Sequence, residues 1–249
     1  MLEITNLRLF PVREPVSRRA YTILKLETRE GLAGYGEGAG ILPDEAPRVL
    51  GAVKGKEATM FQVVCSQVSA SPGMRAALDM AMLDIVARFT KVPLYRFFGG
   101  PTRNKARALA RLEGSSDDEL LASVGRARGA GFRAFLVPAP GAAAQTSKQA
   151  LVQAVRKRME SLRGAAGEGT DFVLDGAGTL SPGDASLLAA DLEMFYLMWF
   201  DEPCPISNLA AVKKISSENV TPLGFGRHIR EAGIYQDLLR EDSIDVLRP

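Results

Sequence analysis

Cysteine is nearly missing from this chain: Cys65 and Cys204 are the only two, far apart and in no metal-like spacing. That excludes a disulfide framework and points to a reducing, cytoplasmic setting. Charge of one sign is missing too. A formal net charge of +2 gives no electrostatic reason to expect nucleic acid or an anionic membrane surface as partner. The tightest basic cluster, Arg156-Lys157-Arg158, reads as a solvated helix face. No apolar run approaches the roughly 20 residues that span a bilayer. The opening Met1-Leu2-Glu3-Ile4-Thr5 lacks the basic start and apolar run of a signal peptide.

What is present suffices for a sizeable core. At 249 residues and 46% apolar content the chain has room for two domains. Residues 1–104 read as a small α+β unit. Leu2 to Pro11 and Ala20 to Thr28 alternate as strands, and Glu30-Gly31 makes a turn. The run Gly34 to Gly38 suits close backbone packing at a strand end. It lacks the spacing and the strand-then-helix setting of a phosphate-binding loop. Helices are expected over Asp44 to Val53, Ala58 to Gln67 and Gly73 to Phe89, the last opened by Pro72.

From Lys105 the pattern changes to short apolar runs alternating with helical segments. The runs are Ala106 to Leu112, Phe132 to Val137, Asp171 to Asp175, Tyr196 to Phe200, Thr221 to Phe225 and Ile244 to Leu247. Regular alternation argues for a parallel sheet with crossover helices. Residues 105–249 are therefore expected to form an incomplete (β/α) TIM-type barrel with about six of the eight strands a closed barrel needs. An open edge would expose unpaired backbone, so association into a homo-oligomer, or rearrangement of the C-terminal end, is expected.

Several segments carry a more specific signal. They are Met74-Arg75-Ala76-Ala77-Leu78-Asp79-Met80-Ala81, Val92-Pro93-Leu94-Tyr95, Phe98-Gly99-Gly100, Val173-Leu174-Asp175, Trp199-Phe200-Asp201-Glu202-Pro203, Thr221-Pro222-Leu223-Gly224-Phe225-Gly226 and Ile244-Asp245-Val246-Leu247. In order and spacing they resemble the mandelate racemase/muconate lactonizing enzyme family of the enolase superfamily. The resemblance implies a capping α+β domain set over the mouth of a modified barrel. It also implies abstraction of a proton α to a carboxylate, with the enediolate held by a divalent metal, usually Mg²⁺. Racemisation, dehydration and cycloisomerisation all branch from that intermediate, so the implied activity is a racemase-type isomerase or an acid-sugar dehydratase (a lyase). The implied partner is a small carboxylic acid or acid sugar.

The resemblance also implies site residues. Asp175 matches the first metal-ligand position. Asp201 matches the second, where glutamate is usual; its side chain is shorter by one methylene, about 1.5 Å. Glu202 is a possible substitute ligand or supporting group. The third position falls on Arg227, and a guanidinium stays protonated with no lone pair for Mg²⁺. Two placements are open. Arg227 either takes the metal's place between Asp175 and Asp201, from where it could also bind a substrate carboxylate, or points to solvent. The positions matching the family's Lys-x-Lys base hold Leu136 and Pro138, and neither accepts a proton. Lys148 lies too far along the following helix to replace them. His228, the sole histidine, is either an acid, base or donor beside Arg227 or a locally bonded loop residue. Both cysteines read as inert, Cys65 on an apolar helix face; of the two, Cys204, between Pro203 and Pro205, is the more reactive candidate. Three readings follow: an enzyme with an unusual site, a non-catalytic member that binds a small acid or serves as an assembly partner, and a truncated piece of an active parent.

Overall fold

The computed structural model describes residues 2–15, 18–141, 147–227, 229 and 232–248. They divide into two compact units, Met1–Lys105 and Ala106–Pro249.

In the first unit β1 (Ile4–Arg13), β2 (Ala20–Thr28) and β3 (Ala33–Gly38) form an antiparallel sheet in that order. Three helices follow: α1 (Glu45–Val53), α2 (Phe61–Gln67) and α3 (Pro72–Thr90). Ser71 caps α3 by accepting from the Met74 amide, with Pro72 in the first turn. The glycine run is a full strand rather than a strand end. A Cβ at Gly36 would stand 1.9 Å from the Ala77 carbonyl oxygen, so α3 lies backbone-close against β3, a fit that a side chain there would prevent. The core of this unit gathers Leu24 and Leu26 from the sheet with Met74, Leu78, Met82 and Ile85 from α3.

The second unit is a six-stranded parallel sheet in strictly sequential order. Its strands are β4 (Ala110–Arg111), β5 (Ala134–Pro138), β6 (Asp171–Asp175), β7 (Trp199–Asp201), β8 (Leu223–Phe225) and β9 (Val246–Leu247). The crossovers carry α4 (Asp117–Gly129), α5 (Lys148–Ala166), α6 (Pro182–Asp191), α7 (Leu209–Glu218) and α8 (Ala232–Arg240). Sequential parallel order with one helix per crossover is the winding of a (β/α) barrel, and these six strands form a partial one. Phe135, Val137, Phe172, Leu174 and Phe200 pack beneath the helices with Val155, Met159 and Leu188.

Two strands are shorter than the apolar runs predict. β4 keeps only two paired residues; residues 106–108 are exposed, and Arg107 turns to the Asp171 carboxylate and the Arg133 carbonyl. β7 starts at Trp199 rather than Tyr196, because Tyr196 takes a left-handed φ of 47° that no strand can continue through.

Candidate functional site at the strand ends

Parallel pairing sets the C-terminal ends of neighbouring strands side by side. Pro138 is in register with Asp175, Asp175 with Asp201, and Asp201 with Gly224. The two aspartates therefore emerge together at adjacent strand ends, 4% and 0% exposed. Like charges so placed need compensation. Arg227, just past β8, supplies it: its Nη2 lies 2.9 Å from Asp175 Oδ2 and 2.6 Å from Asp201 Oδ2. Of the two placements open for Arg227, the structure has the bridging one.

A second guanidinium joins it. Arg248 directly follows β9, and its Nη1 also pairs with Asp201 Oδ2. The resemblance that points to Asp175, Asp201 and Arg227 ends with the strand Ile244 to Leu247 and does not reach this residue, although residues at the C-terminal ends of barrel strands commonly face the site. Burial works against the Arg227 charge, yet hydrogen bonds to and attraction from Asp175 and Asp201 outweigh it. Its pKa is held above the ordinary arginine value.

The remaining carboxylate oxygens are also engaged. Trp199 Nε1 donates to Asp201 Oδ1 at 3.0 Å, and the Ala177 amide donates to Asp175 Oδ1 at 2.8 Å. The indole has room because residue 224 is glycine; a Cβ there would lie 2.4 Å from Trp199 Cδ1. Glu202 is 1% exposed and holds a left-handed φ of 44°. Its Oε1 accepts from the Gly226 and Arg227 amides at 2.9 and 2.7 Å. It thereby fixes the turn that carries Arg227.

Among the described residues no group of three or more His, Cys, Asp or Glu side chains is arranged to hold a metal ion. On β5, Leu136 is buried and Pro138 is half-buried; alternation puts both on the sheet face of Asp175. Lys148 opens α5 and lines a groove on the outer helices with Arg156 and Asp191. His228 lies outside the described residues.

Cys204 is fully buried, and burial, with the Glu202 charge beside it, pushes its thiol up to about 11. It stays protonated and inert at neutral pH. Cys65 is likewise pushed to about 12, by burial and then by Asp79.

Comparison with known proteins places this geometry. Residues 9–99 match the mandelate racemase/muconate lactonizing enzyme N-terminal domain, and residues 119–249 match the enolase C-terminal domain-like family. The chain is 24% identical to a D-mannonate dehydratase of Xanthomonas oryzae pv. oryzicola and 23% identical to a D-galactonate dehydratase of Klebsiella pneumoniae. Each alignment covers 92% of this chain, which spans 64% of the length of either relative. Among solved structures, an enolase from Agrobacterium radiobacter with sodium and L-malate bound superposes with a TM-score of 0.87 at 23% identity, covering all of this chain and 67% of that one. A mandelate racemase/muconate lactonizing enzyme-like protein from Roseovarius sp. TM1035 gives a TM-score of 0.85 at 19% identity, covering all of this chain and 71% of that one. With both of its units matched in order, the chain belongs to the mandelate racemase/muconate lactonizing enzyme family of the enolase superfamily.

Proposed function

We propose that this chain binds a small hydroxy-carboxylic acid of the acid-sugar class at the ends of β6 to β9, without the metal-assisted proton abstraction of its family. One observation carries the reading: the Arg227 guanidinium lies between Asp175 and Asp201, at the position where family resemblance calls for a third carboxylate ligand. The donor set is a poor match for Mg²⁺, which takes oxygen ligands in near-ideal octahedral geometry. A cation stands in place of one ligand, and the Glu202 oxygen is engaged by two amides.

The Lys-x-Lys base is lacking as well, since Leu136 and Pro138 fill the matching positions and neither side chain takes up a proton. The ligand class draws its support from relatives named for dehydrating D-mannonate and D-galactonate and from the structural neighbour that holds L-malate. Arginine suits such ligands, because its planar fork matches a carboxylate.

The test is proton NMR in D₂O with D-mannonate and D-galactonate, in the presence of Mg²⁺. Saturation transfer from protein to sugar acid is expected, with no exchange of the proton α to the carboxylate and no dehydration product. Turnover or α-proton exchange that disappears in Asp175→Asn would overturn the proposal.

A further inference from the structure

We propose that the loop between α5 and β6 holds a phosphate group, as the free ion or as a small monoester, between Arg163 and Arg128. This loop leads into β6 at Asp171, the opposite end of the strand from Asp175, so the inference does not rest on the acid-binding reading above. It starts from an arginine whose donors are unused. Arg163 stands in the last turn of α5. Its guanidinium carbon lies 5.7 Å from the centre of the Phe172 ring and 6.0 Å from that of Phe195. The rings attract the cation to their faces and take up none of its N–H donors. Its Nε is buried with no acceptor, and among the described residues no hydrogen bond or ion pair engages the side chain. The other two arginines of α5 are both paired, Arg156 with Asp191 and Arg158 with Asp117.

A second guanidinium flanks the same loop. Arg128, in the last turn of α4, donates from Nη1 to the Ala165 carbonyl at 3.1 Å. Both of its Nη atoms lie 3.6 Å from the place where a Cβ on Gly167 would stand. It too has no carboxylate partner among the described residues. The negative ends of α4 and α5 account for arginines being placed here; they do not account for the donors left over. Arg163, Gly164, Gly167, Glu168, Gly169 and Thr170 line a surface groove of about 320 Å³. The Thr170 hydroxyl donates to the Gly167 carbonyl at 2.7 Å and fixes the loop.

Phosphate suits this arrangement, because a tetrahedral oxyanion offers oxygens to two forks at once, whereas the two oxygens of a carboxylate fill one. Two guanidiniums against one carboxylate, the exposed Glu168, leave the groove positive. Glu168 pairs with neither arginine and opposes the anion.

The test is calorimetry on the full chain at fixed ionic strength, with inorganic phosphate and with glycerol 3-phosphate. Saturable binding of at least one is expected. Tighter binding of the ester assigns the site to a monoester and the reverse assigns it to the free ion; both sustain the proposal. Arg163→Met keeps an unbranched apolar chain over the two rings and removes the donors, so binding should weaken about tenfold, the worth of one charge-assisted contact. Glu168→Gln should tighten binding about threefold by removing an exposed like charge. No saturable heat with either ligand would overturn the proposal, as would wild-type affinity in a folded R163M variant. Displacement of bound phosphate by D-mannonate would put it at the strand ends or make the groove a carboxylate site, and overturns the proposal in both cases. If R163M does not fold, the exposed E168Q change decides: binding that is unaltered or weaker there defeats the groove.

Discussion

Each unit of this protein carries a carboxylate ringed by donors, and the two rings sit at different depths. In the first unit Glu27, on the outward face of β2, accepts from Asn6 at 2.8 Å and pairs with Arg8 at 2.6 Å and Lys25 at 2.7 Å. In the second, Asp201 accepts from Trp199 and pairs with Arg227 and Arg248, and its side chain has no exposure at all. The partner chemistry is nearly the same, but the surroundings decide what it does. Water and ions screen the surface cluster, which leaves exposed pairs worth little. The buried cluster cannot be half-built, since taking away one partner strands a charge in a medium that solvates it poorly.

The sharpest way to break this comparison is Arg227→Ala. It should cost about 3 kcal/mol of stability in urea unfolding, the lower end of the range for stranding a buried charge, because Arg248 stays on Asp201. A loss no larger than that of the Glu27 variant would show that depth is not what separates the clusters. Trp199→Phe keeps the ring and removes only the indole N–H. A loss of about 1–2 kcal/mol is expected, the cost of leaving one buried acceptor oxygen without its donor, again read from urea midpoints.

The smallest effect belongs to Glu27→Gln. Hydrogen bonds from Lys25, then from Asn6 and Arg8, hold the Glu27 carboxyl down to about 2, against 4.5 ordinarily. A folded-state pKa below the unfolded one stabilises the fold above the ordinary value, and the contribution fades as pH falls through the folded one. The first unit of the wild type should therefore lose stability between about pH 5 and pH 2, and the glutamine variant should show a flatter profile across that window. Identical acid profiles would mean that the cluster is not formed in solution.

Much of the fold was legible because the winding repeats: short apolar runs and helical periods alternate from residue 105 onward. The site residues Asp175, Asp201 and Arg227 were legible through the family resemblance, which matches them to ligand positions at or just past strand ends. Arg248 follows the strand Ile244 to Leu247, where the matching motifs stop, so no motif singled it out. Other features depend on the partner rather than the segment. Glycine is a poor strand former, and Gly34 to Gly38 becomes β3 only because α3 presses against it. The task of Glu202 was illegible for a different reason. Its left-handed backbone turns the carboxylate toward the amides of residues 226 and 227, a local conformation that its residue type does not announce.

Trp199 is the only tryptophan in the chain, and its indole N–H rests on the carboxylate that both arginines share. Indole emission answers to the electric field across the ring, so the protein comes with a fluorophore already attached to this buried charge cluster. Any event that rearranges that cluster, whether an anion arriving, an arginine exchanged or the turn after β8 letting go, becomes visible as a colour change from a single known residue, without a label and without a substrate that turns over.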